Sequence, residues 1–272
     1  MDAARAIYGI DFSGAKDAGS RIWIAKGIDD GRKLLVSECF GAKDLPNSGK
    51  RIEDCLPAVV ELISSSQDAV FGFDFPFGLP APLVHDKTWE DFVLEFPKRY
   101  RNPEAFRESC RQKMPSTELK RKTDTEAQTP FSPYNLWLYK QTYYGISKVL
   151  HPLVRDKSAC VLPFHKTVQG KPWILEVCPA STLKDIMKNK VPPYKGSEGE
   201  KEENRREILD IVMKAGVAIG SDAALNDKII ANKGGDALDS VIAALAVFNT
   251  MQTQSWGRPA EYEYLMEGFV YH

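Results

Sequence analysis

Four segments that bring carboxylates out of apolar or glycine-flanked runs constrain this chain most strongly. The four segments are IYGID at 7–11, VFGFD at 70–74, WILE at 173–176 and GGDALD at 234–239. A carboxylate at the end of a buried segment costs free energy unless a cation meets it. If the fold brings the four segments together, a divalent metal is the natural partner. The sequence therefore predicts an acid-rich metal site.

Composition places the chain among ordinary globular proteins. Its 272 residues are 43% hydrophobic and 27% charged, with a formal net charge of -1. That balance is not typical of an obligate nucleic-acid binder, whose domains are strongly basic. Five scattered cysteines without a CxxC motif favour reduced thiols. With no signal-peptide pattern and no apolar run of about 20 residues, we predict a cytoplasmic protein with no membrane partner.

The first part of the chain shows the pattern of an antiparallel meander. Three short strands are expected over residues 6–11, 21–25 and 33–37. Asp29, Asp30 and Gly31 supply the turn between the second and third strands.

A crossover helix and a parallel strand are expected next. Apolar residues recur at helical spacing over 51–66, and residues 69–73 form an uninterrupted apolar run typical of a strand buried on both faces. The helix would bring this strand beside the first one, parallel to it. Asp11 and Asp74 would then lie at the carboxyl ends of neighbouring strands, where open α/β sheets bind ligands.

We therefore predict an α/β fold: a mixed five-stranded sheet with helices on its faces, in a single domain over 1–272. The proline-punctuated, basic segment 76–134 is expected to form an inserted subdomain or lid. Further helices are expected over 135–150, 180–189, 203–215 and 235–251, a strand over 173–177, and a polar loop over 196–202.

The stretch 98–122 holds nine Lys or Arg against three Glu, so a local basic patch is a candidate for phosphate binding. A solvated helical face is the competing interpretation. The candidate substrate-binding residues are Ser13, Lys98, Arg99, Arg101, Lys120, Arg121 and Lys122. Trp89, Phe106 and Tyr134 are candidates for base stacking, with core packing as the alternative.

Each acid also has a simpler explanation when taken alone. Asp236 and Asp239 share a helix face, but an acid in the first turn also opposes the helix dipole. Asp11 and Asp74 are equally suited to capping the turn after a strand. Glu176 is a candidate partner for a lysine.

Taken together, the acids favour a metal. Two carboxylates about 4 Å apart repel by roughly 4 kcal/mol at an effective dielectric of about 20, so they bind protons or a cation. Oxygen-only ligands select Mg²⁺ or Mn²⁺, and two such ions clamp a phosphodiester during hydrolysis. The candidate ligands are Asp11, Asp74, Glu176, Asp236 and Asp239.

The order of four motifs resembles the ribonuclease H-like fold and, more closely, the DUF429 family of uncharacterised proteins. The motifs are YGIDFSGA at 8–15, FGFDFPFGLP at 71–80, LEVCPAST at 175–182 and GGDALDSVIAALAVF at 234–248. The resemblance covers essentially the whole chain, and families of this kind are predicted to be nuclease-like.

The same superfamily includes Holliday-junction resolvases of the RuvC type, with an acid on the first strand, an acid on the fourth and a DxxD on the last helix. Asp11, Asp74, Asp236 and Asp239 match these positions and are the implied catalytic residues. The fourth-strand acid of the resolvases is Glu, which makes Asp74 a departure, and Glu176 has no clear counterpart. The resemblance implies a Mg²⁺- or Mn²⁺-dependent nuclease acting on DNA or RNA, and it admits a homodimer.

Two other functions fit the residues. Asp11 to Gly14 resembles the phosphate-binding hairpin of actin-like ATPases and kinases, although that architecture is normally duplicated within a longer chain. A catalytically silent nucleic-acid-binding module would use the basic segment alone, but it leaves the carboxylates without a purpose.

Overall fold

The protein is an α/β fold in which helices flank a mixed sheet. A computed structural model describes residues 5–114, 118–220, 223–257 and 261–272. The strands follow the order β5-β6-β4-β1-β2-β3-β7 across the sheet, and β8 pairs with β6. Their bounds are β1 Ala6–Asp11, β2 Trp23–Asp29, β3 Leu34–Gly41, β4 Val70–Phe73, β5 Cys160–Val161, β6 Trp173–Val177, β7 Val217–Ile219 and β8 Val270–Tyr271.

The predicted topology of the central strands is confirmed. Strands β1, β2 and β3 are antiparallel neighbours, and β4 lies beside β1 and parallel to it. The expected number of five strands is wrong, because the sheet has eight within the described ranges. The additional strands β5, β7 and β8 contain only two or three residues each, which is too few to show a periodic pattern.

The predicted helices are present, with changed boundaries. The expected helix over 135–150 begins at Tyr139 and continues through a π-helical segment, Gly145–Leu150, to Arg155. The helix expected over 203–215 begins earlier, at Gly199, so residues 199–202 are helical and not a loop. Glu200 and Glu202 in its first turn stabilise that start against the helix dipole. The helices are α1 Ile52–Ser65, α2 Trp89–Arg99, α3 Pro103–Lys113, α4 Lys122–Glu126, α5 Tyr139–Tyr144, α6 His151–Arg155, α7 Pro179–Ile186, α8 Gly199–Lys214, α9 Ala223–Ala231, α10 Asp236–Gln252 and α11 Tyr264–Glu267.

The segment 76–134 contributes α2, α3 and α4, and its residues 115–117 lie outside the described ranges. Its buried aromatic side chains belong to the same core cluster as α1 and one face of the central strands. Trp89, Phe106 and Tyr134 are buried, and the Trp89 indole N–H donates to the carbonyl of Phe77 at 2.8 Å. Their prediction as base-stacking residues is therefore wrong, and the core-packing alternative holds.

Helix α10 approaches the sheet closely because two glycines face it. Gly9 and Gly72 are partners in the β1–β4 register. A Cβ on Gly9 would lie 2.1 Å from the carbonyl oxygen of Ser240, and one on Gly72 would lie 2.5 Å from Val247. The glycines before Asp11 and Asp74 therefore admit the helix that carries the last pair of acids.

Among the described residues, no helix is both long and apolar enough to cross a bilayer.

Candidate active site

Asp11 and Asp74 lie side by side at one edge of the sheet. Asp11 is the last residue of β1, and Asp74 directly follows β4. The preceding residues Ile10 and Phe73 are register partners, and the Asp74 N–H donates to the Ile10 carbonyl at 3.1 Å. The predicted placement of both acids on neighbouring parallel strands is confirmed.

Helix α10 adds Asp239 to the same edge. Asp239 is 3% exposed, and one of its carboxylate oxygens accepts the Tyr194 hydroxyl at 2.7 Å. The other oxygen lies 2.6 Å from the Lys195 ammonium nitrogen. Asp236, one turn earlier, is half-buried. All four acids, Asp11, Asp74, Asp236 and Asp239, line one cavity of about 400 Å³.

The electrostatic environment at this edge favours binding of a proton or a cation by the carboxylates. Burial raises the pKa of Asp11 well above its ordinary value, and the charges of Asp239 and Asp74 raise it further. Burial and Asp239 raise the pKa of Asp74 to about 7, although Lys195 opposes both shifts. Burial also raises the pKa of Asp236. Lys195 opposes the shifts of all three acids and Arg21 opposes that of Asp236, but the pKa values stay raised, so the carboxylates are only partly compensated.

Lys195 and Tyr194 are functional candidates that the sequence did not reveal. Burial opposes the charge on Lys195, but Asp239, Asp11 and Asp74 together raise its pKa above the ordinary value. The only local signal is the short segment VPPYKG at 191–196. Nothing in its spacing indicates a contact with Asp239, which lies 44 positions further along the chain than Lys195.

Helix α8 fixes the loop that carries both residues. Arg205, 1% exposed, donates to the carbonyls of Tyr194 at 2.7 Å and Gly196 at 3.0 Å. The Asn204 side-chain amide donates to the Pro193 carbonyl at 2.8 Å. Lys195 therefore reaches the acids from a backbone that is anchored on both sides.

Glu176 borders the cavity but is already paired. Its carboxylate accepts two N–H groups of Arg121 and the backbone N–H of Phe77, the latter at 2.9 Å. The prediction of Glu176 as a metal ligand is therefore not supported by its contacts. The alternative of an ion pair is the one observed, with arginine in place of lysine.

Arg121 is not a surface phosphate contact, so that prediction is wrong. The side chain is 1% exposed, and all five of its N–H groups are engaged. They contact both Asp124 oxygens at 2.7 and 2.9 Å, both Glu176 oxygens, and the Glu267 carbonyl at 3.0 Å. No donor remains for a phosphate, because two buried carboxylates compete for the guanidinium.

The other predicted basic residues do not line the cavity. Lys98 pairs with Glu95 at 2.7 Å, and Arg99 holds Asp86 with two hydrogen bonds. The Lys120 ammonium donates to the Thr129 carbonyl at 2.6 Å, and Lys122 pairs with Glu261. Arg101 is an exposed residue beyond the end of α2. These five residues match the alternative of a solvated face.

Ser13 and Arg21 are the polar groups that the structure brings to the acids instead. Both line the cavity with the four carboxylates. The Arg21 side chain is 58% exposed and pairs with Asp17 at 2.8 Å. Ser13 was predicted from its place in the loop after β1. Arg21 was missed because it was expected only as the first residue of the second strand.

The oxygen atoms of the four carboxylates are the type of ligand that a hard divalent cation binds. Carboxylate oxygens are the ligands that Mg²⁺ and Mn²⁺ prefer. Within the described ranges, no three His, Cys, Asp or Glu side chains lie close enough together to hold an ion as they stand. The counter-charge in this structure is the Lys195 ammonium, in contact with Asp239.

Comparisons of the chain with protein-family models, with curated proteins and with solved structures found no match. The geometry and charge of the cavity are therefore the evidence that bears on function.

Proposed function

We propose that the protein is a divalent-metal-dependent phosphodiester hydrolase, a nuclease with a ribonuclease H-like fold. The observation that carries this proposal is the convergence of Asp11, Asp74 and Asp239 on one cavity, where burial and mutual repulsion raise the pKa values of the first two. Three carboxylates and one ammonium leave excess negative charge, which a divalent cation would neutralise.

Asp11, Asp74 and Asp239 would hold the metal, with Asp236 completing the ligand set from the first turn of α10. When bound, Mg²⁺ or Mn²⁺ supplies charge neutralisation at the phosphate and an acidified water. The geometry supports this assignment because the three acids come from two parallel strands and one helix that share a close-packed edge.

The remaining polar residues of the cavity suit the recognition of a phosphate. Arg21 and Lys195 place two positive charges in the lining, and Ser13 offers a hydroxyl. The Tyr194 hydroxyl donates to Asp239 and so keeps one of its oxygens oriented. We assign Lys195 two roles: it neutralises the acids in the free protein, and it contacts the substrate phosphate in the complex.

The ATPase alternative is disfavoured by the packing of the loop after β1. Phe12 is 2% exposed, and its carbonyl accepts the Gln141 side-chain amide at 2.6 Å. Gly14 lies against the Lys140 backbone so tightly that a Cβ there would be 2.4 Å from it. Helix α5 therefore occupies the space that a phosphate-binding hairpin leaves open.

Cleavage of labelled oligonucleotides in Mn²⁺ tests the proposal, with single-stranded DNA, single-stranded RNA and a four-way junction as substrates. We expect cleavage by the natural protein, and a loss of more than about 100-fold in Asp74→Asn and Asp11→Asn, because each removes metal-held charge at the phosphate. Asp210→Asn is the matched control. Asp210 is an exposed residue of α8 outside the cavity, so cleavage should be unchanged.

Two other outcomes of this experiment would each favour a different function. Salt-sensitive binding without cleavage, unchanged in Asp11→Asn, would identify a silent nucleic-acid-binding module. Stabilisation by ATP with Mg²⁺ but not by Mn²⁺ alone would favour the ATPase alternative.

A further inference from the structure

Exposed apolar side chains are concentrated in one turn of the protein. Three of the six lie within residues 131–137, directly before α5, and Trp137 is the most exposed at 75%. The six large hydrophobic side chains exposed among the described residues are Ile28, Phe131, Leu136, Trp137, Val168 and Tyr262. A tryptophan left in water forgoes the burial of roughly 150–250 Å² of apolar surface, so its position calls for a ligand.

Two of these three side chains belong to the rim of the acidic cavity. Phe131 and Trp137 line it together with Asp11 and Asp74, whereas Leu136 does not. The cavity therefore combines aromatic rings with carboxylates and with the cations Arg21 and Lys195.

The turn that carries Trp137 is held by hydrogen bonds. The Trp137 backbone N–H donates to the Asn135 side-chain oxygen at 2.9 Å. The Asn135 amide and the Ser132 hydroxyl both donate to one carboxylate oxygen of Glu118, at 2.6 and 3.1 Å. The Thr142 hydroxyl donates to the Pro133 carbonyl at 2.6 Å. The indole is thus presented from a fixed backbone, which reduces the entropy lost when a ligand binds.

We propose that Trp137, assisted by Phe131, is a stacking platform for an unpaired nucleobase of the substrate. The inference rests on the proposed function, since the phosphate attached to that base would lie at the carboxylates. A ligand that suits both parts of the cavity carries a flat ring and a phosphate, which is the chemistry of a nucleotide. Bases within a duplex have both faces covered, so the preferred substrate is single-stranded or locally unpaired.

The test compares the binding of two labelled strands of equal length by fluorescence anisotropy. One is a 12-nucleotide single strand, and the other has the same backbone with every base replaced by an abasic site. Ca²⁺ replaces Mn²⁺ in both titrations. We expect the natural protein to prefer the base-containing strand by about 5- to 150-fold, the range that stacking of one base provides. Trp137→Ala should abolish most of this preference, and Trp137→Phe should keep part of it.

Leu136→Ala is the matched control, because Leu136 is also exposed but does not line the cavity. Equal binding of the two strands, no binding of either, or an unchanged preference in Trp137→Ala would overturn the inference. Dimerisation in sedimentation that Trp137→Ala abolishes would also overturn it, since a second copy would then cover the ring.

Different results would refute the hydrolase and the stacking site. A base preference that depends on Trp137, without cleavage in Mn²⁺, would leave the stacking site standing and refute the hydrolase. Cleavage that is equally fast in the natural protein and Trp137→Ala, without a base preference, would do the reverse.

Discussion

Two groups of buried or half-buried carboxylates border the same cavity and are neutralised in different ways. Asp124 and Glu176 share Arg121, which is 1% exposed and uses every donor. The second group, Asp11, Asp74 and Asp239, faces the ammonium of Lys195, whose side chain is 54% exposed. The first group is closed to further ligands, whereas the second retains unmet charge. Burial of acids alone therefore does not mark a ligand site; incomplete neutralisation of the buried acids does.

Burial raises a carboxylate pKa in both groups, but at Glu176 the charge and hydrogen bonds of Arg121 oppose the rise. Burial opposes the charge on Arg121, yet Asp124 and Glu176 raise its pKa well above the ordinary value, so the guanidinium stays ionised. The Glu267 carbonyl also accepts from Arg121, which links the C-terminal segment to β6 and α4. The Arg121 group therefore has a structural role, because it holds these three segments together. At Asp11 and Asp74, burial raises the pKa values and the charge of Asp239 raises them further, a pattern that is typical of functional sites.

The largest expected effect comes from removing the cation of each group in turn. Arg121→Met should lower the free energy of unfolding by about 3–5 kcal/mol, because two carboxylates remain buried without a partner. Lys195→Met is the paired control and should cost at most about 1 kcal/mol, since the Lys195 side chain is 54% exposed and water can enter the cavity to solvate the acids. Urea denaturation followed by circular dichroism measures both. Similar losses in the two variants would break the proposed difference between the groups.

The second-largest expected effect is stabilisation by metal, which should require the Asp11 group but not the Arg121 group. At a Mn²⁺ concentration of 100 times its Kd, the natural protein should gain about 2.7 kcal/mol of stability, seen as a rise in melting temperature. Asp11→Asn should lose this gain, while Glu176→Gln should keep it relative to its own metal-free form, because Glu176 is engaged by Arg121. An unchanged melting temperature of the natural protein in millimolar Mn²⁺ would refute the metal site.

The smallest expected effect is a pH dependence at Asp74. Its folded pKa of about 7 lies above the ordinary 3.8, so between these values the folded protein binds a proton that the unfolded chain has released. The contribution of Asp74 to the stability of the metal-free protein therefore falls as pH rises through this window, and the loss is complete above pH 7. Asp74→Asn should gain stability over the natural protein by on the order of 1 kcal/mol between pH 5 and pH 8.

Chemical denaturation without metal across that range measures the difference. Asp156→Asn serves as its control, because a hydrogen bond from Arg155 lowers the pKa of Asp156. Its stability relative to the natural protein should change only in more acidic solution. A constant difference between Asp74→Asn and the natural protein from pH 5 to pH 8 would contradict the raised pKa.

Much of the sheet edge was predictable from local patterns. The apolar runs before Asp11 and Asp74 and the helical spacing between them gave two parallel neighbouring strands, as observed. Asp239 lies beside them because its helix is apolar nearly all round and is buried against the sheet. The strands of two or three residues were missed, since they contain less than one full period of the pattern.

The functional cations were not predictable in this way. Basic residues crowded in 98–122 suggested a phosphate surface, but the cavity is lined by Arg21, Arg121 and Lys195, of which only Arg121 came from that stretch. The stacking candidates were misplaced for a related reason. Aromatic residues in a periodic segment, such as Trp89, are needed by the core, whereas Trp137 lies in a turn without a periodic pattern.

Local sequence patterns place the carboxylates, because apolar periodicity and paired glycines dictate which strands and which helix can share one edge. Which cation each acid meets depends on how distant parts of the chain pack together. Arg121 and Glu176 are 55 positions apart, and Lys195 and Asp239 are 44 apart. The energy of such pairs depends on distance and burial in the folded protein, and neither is encoded in the spacing of residues along the chain.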